Sequence, residues 1–154
     1  MDALIELTVL DDLILEKINQ LLKEKKPLEE SEIPIMYRDL FIKYSSLENI
    51  ESLKRAVFLQ WYSVIEPIEN SGMGEMDALI EKQNINNVNR LIDSCLIDDE
   101  FVFLLKHYYN IGDWYFDSLG LKKINFDLKN ESKFHYNNFD KRGVFGEYWK
   151  SILK

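Results

Sequence analysis

Few residues in this sequence have the types and spacing that catalysis or metal binding requires. The chain has two histidines, His107 and His135, and a single cysteine, Cys95. No His-x-Glu, Glu-x-x-His or His-Glu-x-x-His spacing occurs, and one cysteine cannot form a cysteine-rich zinc site or a disulfide framework. The sequence therefore predicts no metal and no cofactor.

Signatures of covalent catalysis and of nucleotide binding are also missing. There is no Gly-x-Ser-x-Gly elbow, and the glycines around Met73 lack the later glycine and lysine of a phosphate-binding loop. Cys95 follows Val88, Leu91 and Ile92 on one apolar stripe, which predicts a buried core thiol. These features favour a non-enzymatic protein, with an enzyme of unfamiliar site as the alternative.

Polar residues recur along one face of the third predicted helix. Their spacing is four, seven and four residues, and they are Glu51, Arg55, Tyr62 and Glu66. Glu51 and Arg55 stand in the favourable order for an i,i+4 ion pair, which contributes about 0.2 to 0.5 kcal/mol. The pattern favours a solvated stripe with a salt bridge. The alternative is a recognition face on which Arg55 and Tyr62 anchor a partner.

A second candidate segment carries two carboxylates around three aromatic residues. Asp113 and Asp117 lie one helical turn apart and flank Trp114, Tyr115 and Phe116. Three consecutive aromatic residues cannot all point inward, so we expect at least one to be half exposed. Together the two segments predict an interaction surface of Glu51, Arg55, Tyr62, Glu66, Asp113, Trp114, Tyr115 and Asp117.

Two further polar residues have open interpretations. His107 lies opposite the apolar face of its predicted helix, which favours a surface or hydrogen-bonded histidine over a catalytic one. Asp11 falls within the apolar arc of the first predicted helix. Its position favours a helix cap or a partly exposed carboxylate, and the alternatives are a buried carboxylate with partners or a functional acid.

The elements that must position these residues are predicted to be helices. With 154 residues, 46% of them hydrophobic, the chain is long enough for one domain with a real core. Apolar residues at helical spacing predict one compact all-α domain of about six to eight helices. The third helix is the most apolar and should be central. The predicted helices cover residues 3–24, 34–44, 50–66, 75–82, 86–96, 99–109, 113–119 and 144–153, with a loop at 69–74.

The chain becomes less regular after Gly120. We expect a helical body over residues 1–119 and a less regular, basic segment over 120–154 that ends in a short helix. Within 121–143, apolar and polar residues alternate from Ile124 to Leu128 and again at Phe134 and Tyr136. This pattern is compatible with a small β-hairpin or with an irregular wrap over the helices.

Charge is distributed unevenly along the chain. The formal net charge is −8, made up of −12 over residues 1–117 and +4 over residues 118–154. Acidic surfaces disfavour nucleic acid and favour basic partners. The basic tail can also dock on the acidic body, which would occupy part of the surface that a partner would use.

The sequence contains no recognisable targeting or membrane segment. The N-terminus is acidic and lacks the basic start and apolar core of a signal peptide. The most apolar run, residues 56–65, is far shorter than the roughly 20 residues of a membrane span. We therefore expect a cytoplasmic protein that does not bind membranes.

These observations lead to three functional hypotheses. The first is a non-enzymatic acidic protein that binds a basic protein partner, such as an immunity protein that inhibits a bacterial toxin. The second is an enzyme or ligand binder with a pocket between helices, built from Arg55, Tyr62 and Glu66 or from His107, Asp113 and Tyr115. The third is a module that associates with itself through exposed aromatic residues.

Overall fold

The computed structural model describes residues 2–123 and 136–153. Within these ranges the fold is all-α, as expected, with no strand among the described residues. Residues 124–135 of the expected hairpin, including His135, lie outside the described ranges. The α-helices are α1 (Ala3–Lys23), α2 (Ile33–Ser46), α3 (Ile50–Ile65), α4 (Ile68–Ser71), α5 (Ala78–Asp93), α6 (Asp99–Leu119) and α7 (Gly143–Ile152), with 3₁₀ turns at Leu28–Glu30 and Tyr136–Phe139.

Helix α3 is the centre of the fold, as its broad apolar arc predicts. Every residue from Lys54 to Trp61 is buried, and the helix contacts α2, α4, α5, α6 and α7. The indole of Trp61 donates a hydrogen bond of 3.1 Å to the carbonyl of Tyr108 in α6. A helix surrounded on several sides in this way fixes the positions of its neighbours.

Two predicted boundaries were wrong. The predicted helices 75–82 and 86–96 are replaced by one continuous helix, α5, over 78–93, because Asn84 between them is buried and its amide donates to Gln60 and to Ser45, both at 2.9 Å. Helix α4 occupies part of the predicted loop. By contrast, the predicted break between helices 99–109 and 113–119 corresponds to a kink in α6, where Gly112 has non-helical geometry.

Cys95 is exposed, so the predicted core thiol was wrong. Helix α5 ends at Asp93, and Cys95 adopts a left-handed φ of 57°. The Cys95 amide donates a hydrogen bond of 3.2 Å to the carbonyl of Ile92, and the Leu96 amide donates one of 2.9 Å to the carbonyl of Leu91. These are the two bonds of a Schellman helix ending, which turns Cys95 away from the stripe that precedes it.

Asp11 is fully buried within α1. The favoured prediction of a helix cap or a partly exposed carboxylate was therefore wrong. Helix α1 begins eight residues earlier and is capped by Asp2. The carboxylate of Asp11 accepts hydrogen bonds from the Tyr44 hydroxyl at 2.7 Å and from the Val144 amide at 2.9 Å. It is therefore a buried carboxylate with partners, and it caps α7 across 133 residues of sequence.

The substitution Asp11→Asn is expected to change how stability depends on pH. Burial raises the pKa of Asp11 from 3.8 to about 6, although bonds from Tyr44 and Val144 oppose the shift. The folded state then binds this proton more tightly than the unfolded state, so the contribution of Asp11 to the free energy of unfolding falls as pH rises through that window.

Urea unfolding of both proteins from about pH 4 to about pH 7 measures this effect. The wild-type value minus the Asp11→Asn value should fall as pH rises and then level off. Contributions from other titrating groups cancel in this difference. A difference that stays constant or grows with pH would contradict the assignment.

Candidate functional site

The structure places the four residues of the α3 stripe in different environments. Arg55 is only 4% exposed. Its guanidinium donates to Glu51 at 2.9 Å and to the Thr8 hydroxyl at 2.7 Å. The predicted Glu51–Arg55 salt bridge is therefore confirmed, but the interpretation of a solvated stripe was wrong because Arg55 is buried against Thr8 of α1.

The basic tail docks on the acidic body through Arg142, as the charge distribution suggested. Its guanidinium contacts Glu51 at 2.5 and 2.8 Å and Glu100 at 2.6 and 3.1 Å. Burial opposes ionisation of Glu100, but Arg142 and Lys54 outweigh it and hold the pKa of Glu100 below its ordinary value. Glu51 and Glu100 are thus already occupied by the chain itself.

Tyr62 and His107 belong to an aromatic cluster that α7 completes. The ring of Tyr62 lies 5.1 Å from that of Phe58 and 5.4 Å from that of Tyr148. Nε2 of His107 is 2.7 Å from the Tyr148 hydroxyl, and burial lowers the pKa of His107. The interpretation of His107 as a hydrogen-bonded histidine is confirmed.

The aromatic segment of α6 divides as expected. Trp114 is 58% exposed, whereas Tyr115 and Phe116 are buried. Asp113 and Asp117 are both exposed; the Asp117 carboxylate accepts a bond of 2.9 Å from the Tyr109 hydroxyl. The outer surface here therefore presents a tryptophan between two carboxylates.

Glu66, the remaining residue of the predicted surface, lines one cleft of about 550 Å³ together with Tyr115. Helix α3 ends at its edge because Pro67 follows Glu66, and the chain then turns through α4 into α5. We call this the acidic cleft. Its lining residues are Ser63, Val64, Ile65, Glu66, Pro67, Ile68, Met73, Gly74, Glu75, Met76, Glu81 and Tyr115.

The acidic cleft is lined by apolar and acidic side chains. Val64 and Pro67 are exposed and give the cleft an apolar surface, and three carboxylates, those of Glu66, Glu75 and Glu81, accompany them. None of the described residues that line it is a lysine, arginine or histidine. Among the described residues, the cleft therefore combines an apolar surface with negative charge that no basic lining residue compensates.

Glu81 is the most constrained of these carboxylates. The Tyr115 hydroxyl donates to it at 2.6 Å. Burial, with the nearby charge of Glu75 and Asp77, nevertheless raises the pKa of Glu81. An incoming cation would stabilise the charged form of Glu81.

Sequence reasoning found Glu66 and Tyr115 but missed Glu75 and Glu81. These two follow the glycine-containing turn after α4, and no periodic pattern connects them with Glu66. The signal that could have found them is Pro67 and Gly72, which reverse the chain between α3 and α5. A reversal there returns the acidic residues after it to the end of α3.

The two residue sets of the ligand-pocket hypothesis do not share a described groove. Arg55 is enclosed by its partners, and Glu66 lines the acidic cleft. His107 lines a separate groove of about 240 Å³ with Trp149, whereas Tyr115 reaches Glu81. No described groove therefore combines all the groups of either set.

Residues 2–123 and 136–153 contain no group of three or more His, Cys, Asp or Glu side chains placed to hold a metal ion. Within the same ranges, no helix has the length and apolarity to cross a bilayer.

Comparison with known proteins adds no assignment. No protein-family model matches the chain, and no curated protein or solved structure is significantly similar to it. Its function is therefore inferred from its own side chains.

Proposed function

We propose that this protein is a non-enzymatic, cytoplasmic binding protein whose acidic cleft captures a basic protein partner. The observation that carries the proposal is the cleft lining, in which Glu66, Glu75 and Glu81 accompany apolar side chains without a described basic residue. Lysine and arginine side chains match this lining. Their aliphatic stems cover apolar surface, and their charged ends pair with carboxylates.

The surface beside the cleft supports the same proposal. The ring of Trp114 lies 6.0 Å from that of Tyr115, which lines the cleft. Exposed tryptophan is among the residue types that contribute most to binding energy at interfaces. Asp113 and Asp117 extend the acidic surface around it, which favours basic partners and disfavours nucleic acid.

A specific form of the proposal is an inhibitor of the immunity type, which binds and blocks a basic toxin or enzyme in bacteria. The support is an analogy of role: a small acidic domain without a catalytic motif, which recognises its target by charge. Complementary charge would speed the encounter and reject acidic proteins. Such a complex should weaken as salt is added.

A second candidate function is the binding of a small organic cation in the same cleft. Its volume of about 550 Å³ lies within the range of about 300 to 1,000 Å³ that ligand sites occupy. Calorimetric titration with a linear diamine distinguishes the candidates. Micromolar binding supports the small ligand, and its absence favours the protein partner.

The proposal is tested by capture from an extract of the native host at low salt. The wild-type chain is compared with the triple variant Glu66→Gln, Glu75→Gln, Glu81→Gln. We expect the wild type to retain a basic protein that salt releases. The triple variant should bind it at least about tenfold more weakly, a loss of about 1.4 kcal/mol.

A matched control separates the cleft from net charge alone. The variant Glu29→Gln, Glu30→Gln, Asp39→Asn neutralises three exposed carboxylates elsewhere and should retain the partner as the wild type does. Capture of no protein, or equal capture by the cleft variant, would contradict the proposal. Light scattering over a range of concentration tests the self-association hypothesis, which a strict monomer would exclude.

A further inference from the structure

The outer face of α1 carries an apolar row that no described part of the chain covers. Ile5, Val9 and Leu13 are 56%, 55% and 47% exposed. They stand at i, i+4 and i+8, so they form one ridge along the helix. The opposite face of α1 packs into the core through fully buried Ile14. The ridge therefore lies outside the hydrophobic core that the described residues form.

Carboxylates border the ridge on both sides. By helical spacing, Asp12 and Glu16 lie on one side of it and Glu6 on the other, and all three are exposed. None of them forms an ion pair or hydrogen bond within the described residues. Residues 2–16 contain no lysine, arginine or histidine. The first base, Lys17, is engaged with Glu32 at 2.5 Å.

We propose that this ridge, Ile5, Val9 and Leu13 with its flanking carboxylates, is a docking surface for a basic amphipathic helix of the partner protein. Ridges at i±4 spacing pack into the grooves of a second helix. Lysines or arginines beside the apolar row of that helix would meet Glu6, Asp12 and Glu16. The inference rests on the proposed function for the partner's charge, but it uses a surface separate from the acidic cleft.

The negative charge beside the ridge favours a basic helix over the other partners that an apolar ridge could bind. A second copy of the chain would place acidic flanks against acidic flanks. Lipid headgroups of anionic membranes and nucleic acid phosphates would be repelled in the same way. A basic helix satisfies both the apolar row and its borders.

The test uses two synthetic helical peptides of about 18 residues. Both carry leucines in an i±4 row, and their remaining positions are lysine in one and glutamate in the other. Binding is measured by fluorescence anisotropy, and the contact surface is mapped by amide chemical-shift changes. The lysine peptide should bind the wild type, shift the amides of α1 and bind more weakly as salt is added. The glutamate peptide should not bind.

The variant Ile5→Ser, Val9→Ser, Leu13→Ser should bind the lysine peptide at least about tenfold more weakly than the wild type. A matched control is Ile35→Ser, Leu79→Ser, Leu96→Ser, which replaces three exposed apolar residues elsewhere and should bind normally. Equal binding to the ridge variant, shifts confined to the cleft, or a wild-type dimer through α1 would overturn the inference.

The outcomes for the ridge and for the cleft are independent. If the cleft captures a basic protein but the lysine peptide does not bind α1, the inference fails and the proposed function stands. If the lysine peptide binds α1 but the cleft variant captures as the wild type does, the cleft assignment fails and the ridge stands.

Discussion

Replacing Arg142 with alanine is expected to lower the free energy of unfolding by about 3 kcal/mol, because removal of one partner from a largely buried ionic cluster leaves the others uncompensated. The Arg142 side chain is 13% exposed and joins Glu51 to Glu100. It also lies against the rings of Phe139 and Phe145, at 5.0 and 4.9 Å. Denaturant unfolding measures the loss.

The control for Arg142→Ala is Lys122→Ala. Lys122 pairs with Asp93, and both side chains are about half exposed. Exposed pairs contribute about 0 to 1 kcal/mol, so this variant should remain close to the wild type. A loss for Arg142→Ala no larger than that for Lys122→Ala would show that the tail is not held by this cluster.

The substitution Gly143→Ala is the second change with a large expected effect. Gly143 has a left-handed φ of +67°, and an added Cβ would lie 2.1 Å from Oδ2 of Asp11. Asp11 cannot move away freely because Tyr44 and Val144 hold it. The backbone penalty and the steric clash together should cost about 3 kcal/mol in unfolding free energy.

Two comparisons isolate the clash in Gly143→Ala. Gly74→Ala adds a Cβ whose nearest neighbour is 3.4 Å away, so its effect should stay within about 0.5 kcal/mol. In an Asp11→Ala background the clash is gone, and Gly143→Ala should cost only the backbone penalty of about 1 to 2 kcal/mol. An equal cost in both backgrounds would contradict the contact between α7 and Asp11.

Both substitutions weaken the attachment of α7 to the rest of the domain. The same attachment reduces the acidic surface that is open to a partner. Arg142 neutralises Glu51 and Glu100, and Lys54 reaches Glu100 as well. These carboxylates contribute to the acidity of the sequence but are not open to a partner. The acidic cleft and the outer face of α1 remain as acidic surfaces without a described cation.

Local patterns were sufficient to predict the long helices. The predicted C-terminal ends of α1 and α3 lie within one residue of the observed ends. Apolar periodicity and Pro67 were sufficient because both are local signals that depend on only a few neighbouring residues. Prediction failed where distant contacts decide the outcome. Asn84 continues α5 through bonds to other helices, and Asp11 is buried because α7 returns to it from the far end of the chain.

The candidate site shows the same limit. Glu66 and the exposed Trp114 could be singled out from helical spacing and from the crowding of aromatic residues. Arg55 could not be recognised as buried, because its partners Thr8 and Tyr44 belong to other helices. Glu75 and Glu81 were missed because only the turns around α4 bring them to Glu66.

Equilibrium titration of the captured basic protein tests the central claim most directly. The wild type and the Glu66→Gln, Glu75→Gln, Glu81→Gln variant are each titrated by calorimetry at low and at moderate salt. We predict that wild-type affinity falls as salt rises, and that the variant binds at least about tenfold more weakly with little salt dependence. Equal affinity and equal salt dependence of the two proteins would contradict recognition by the acidic cleft.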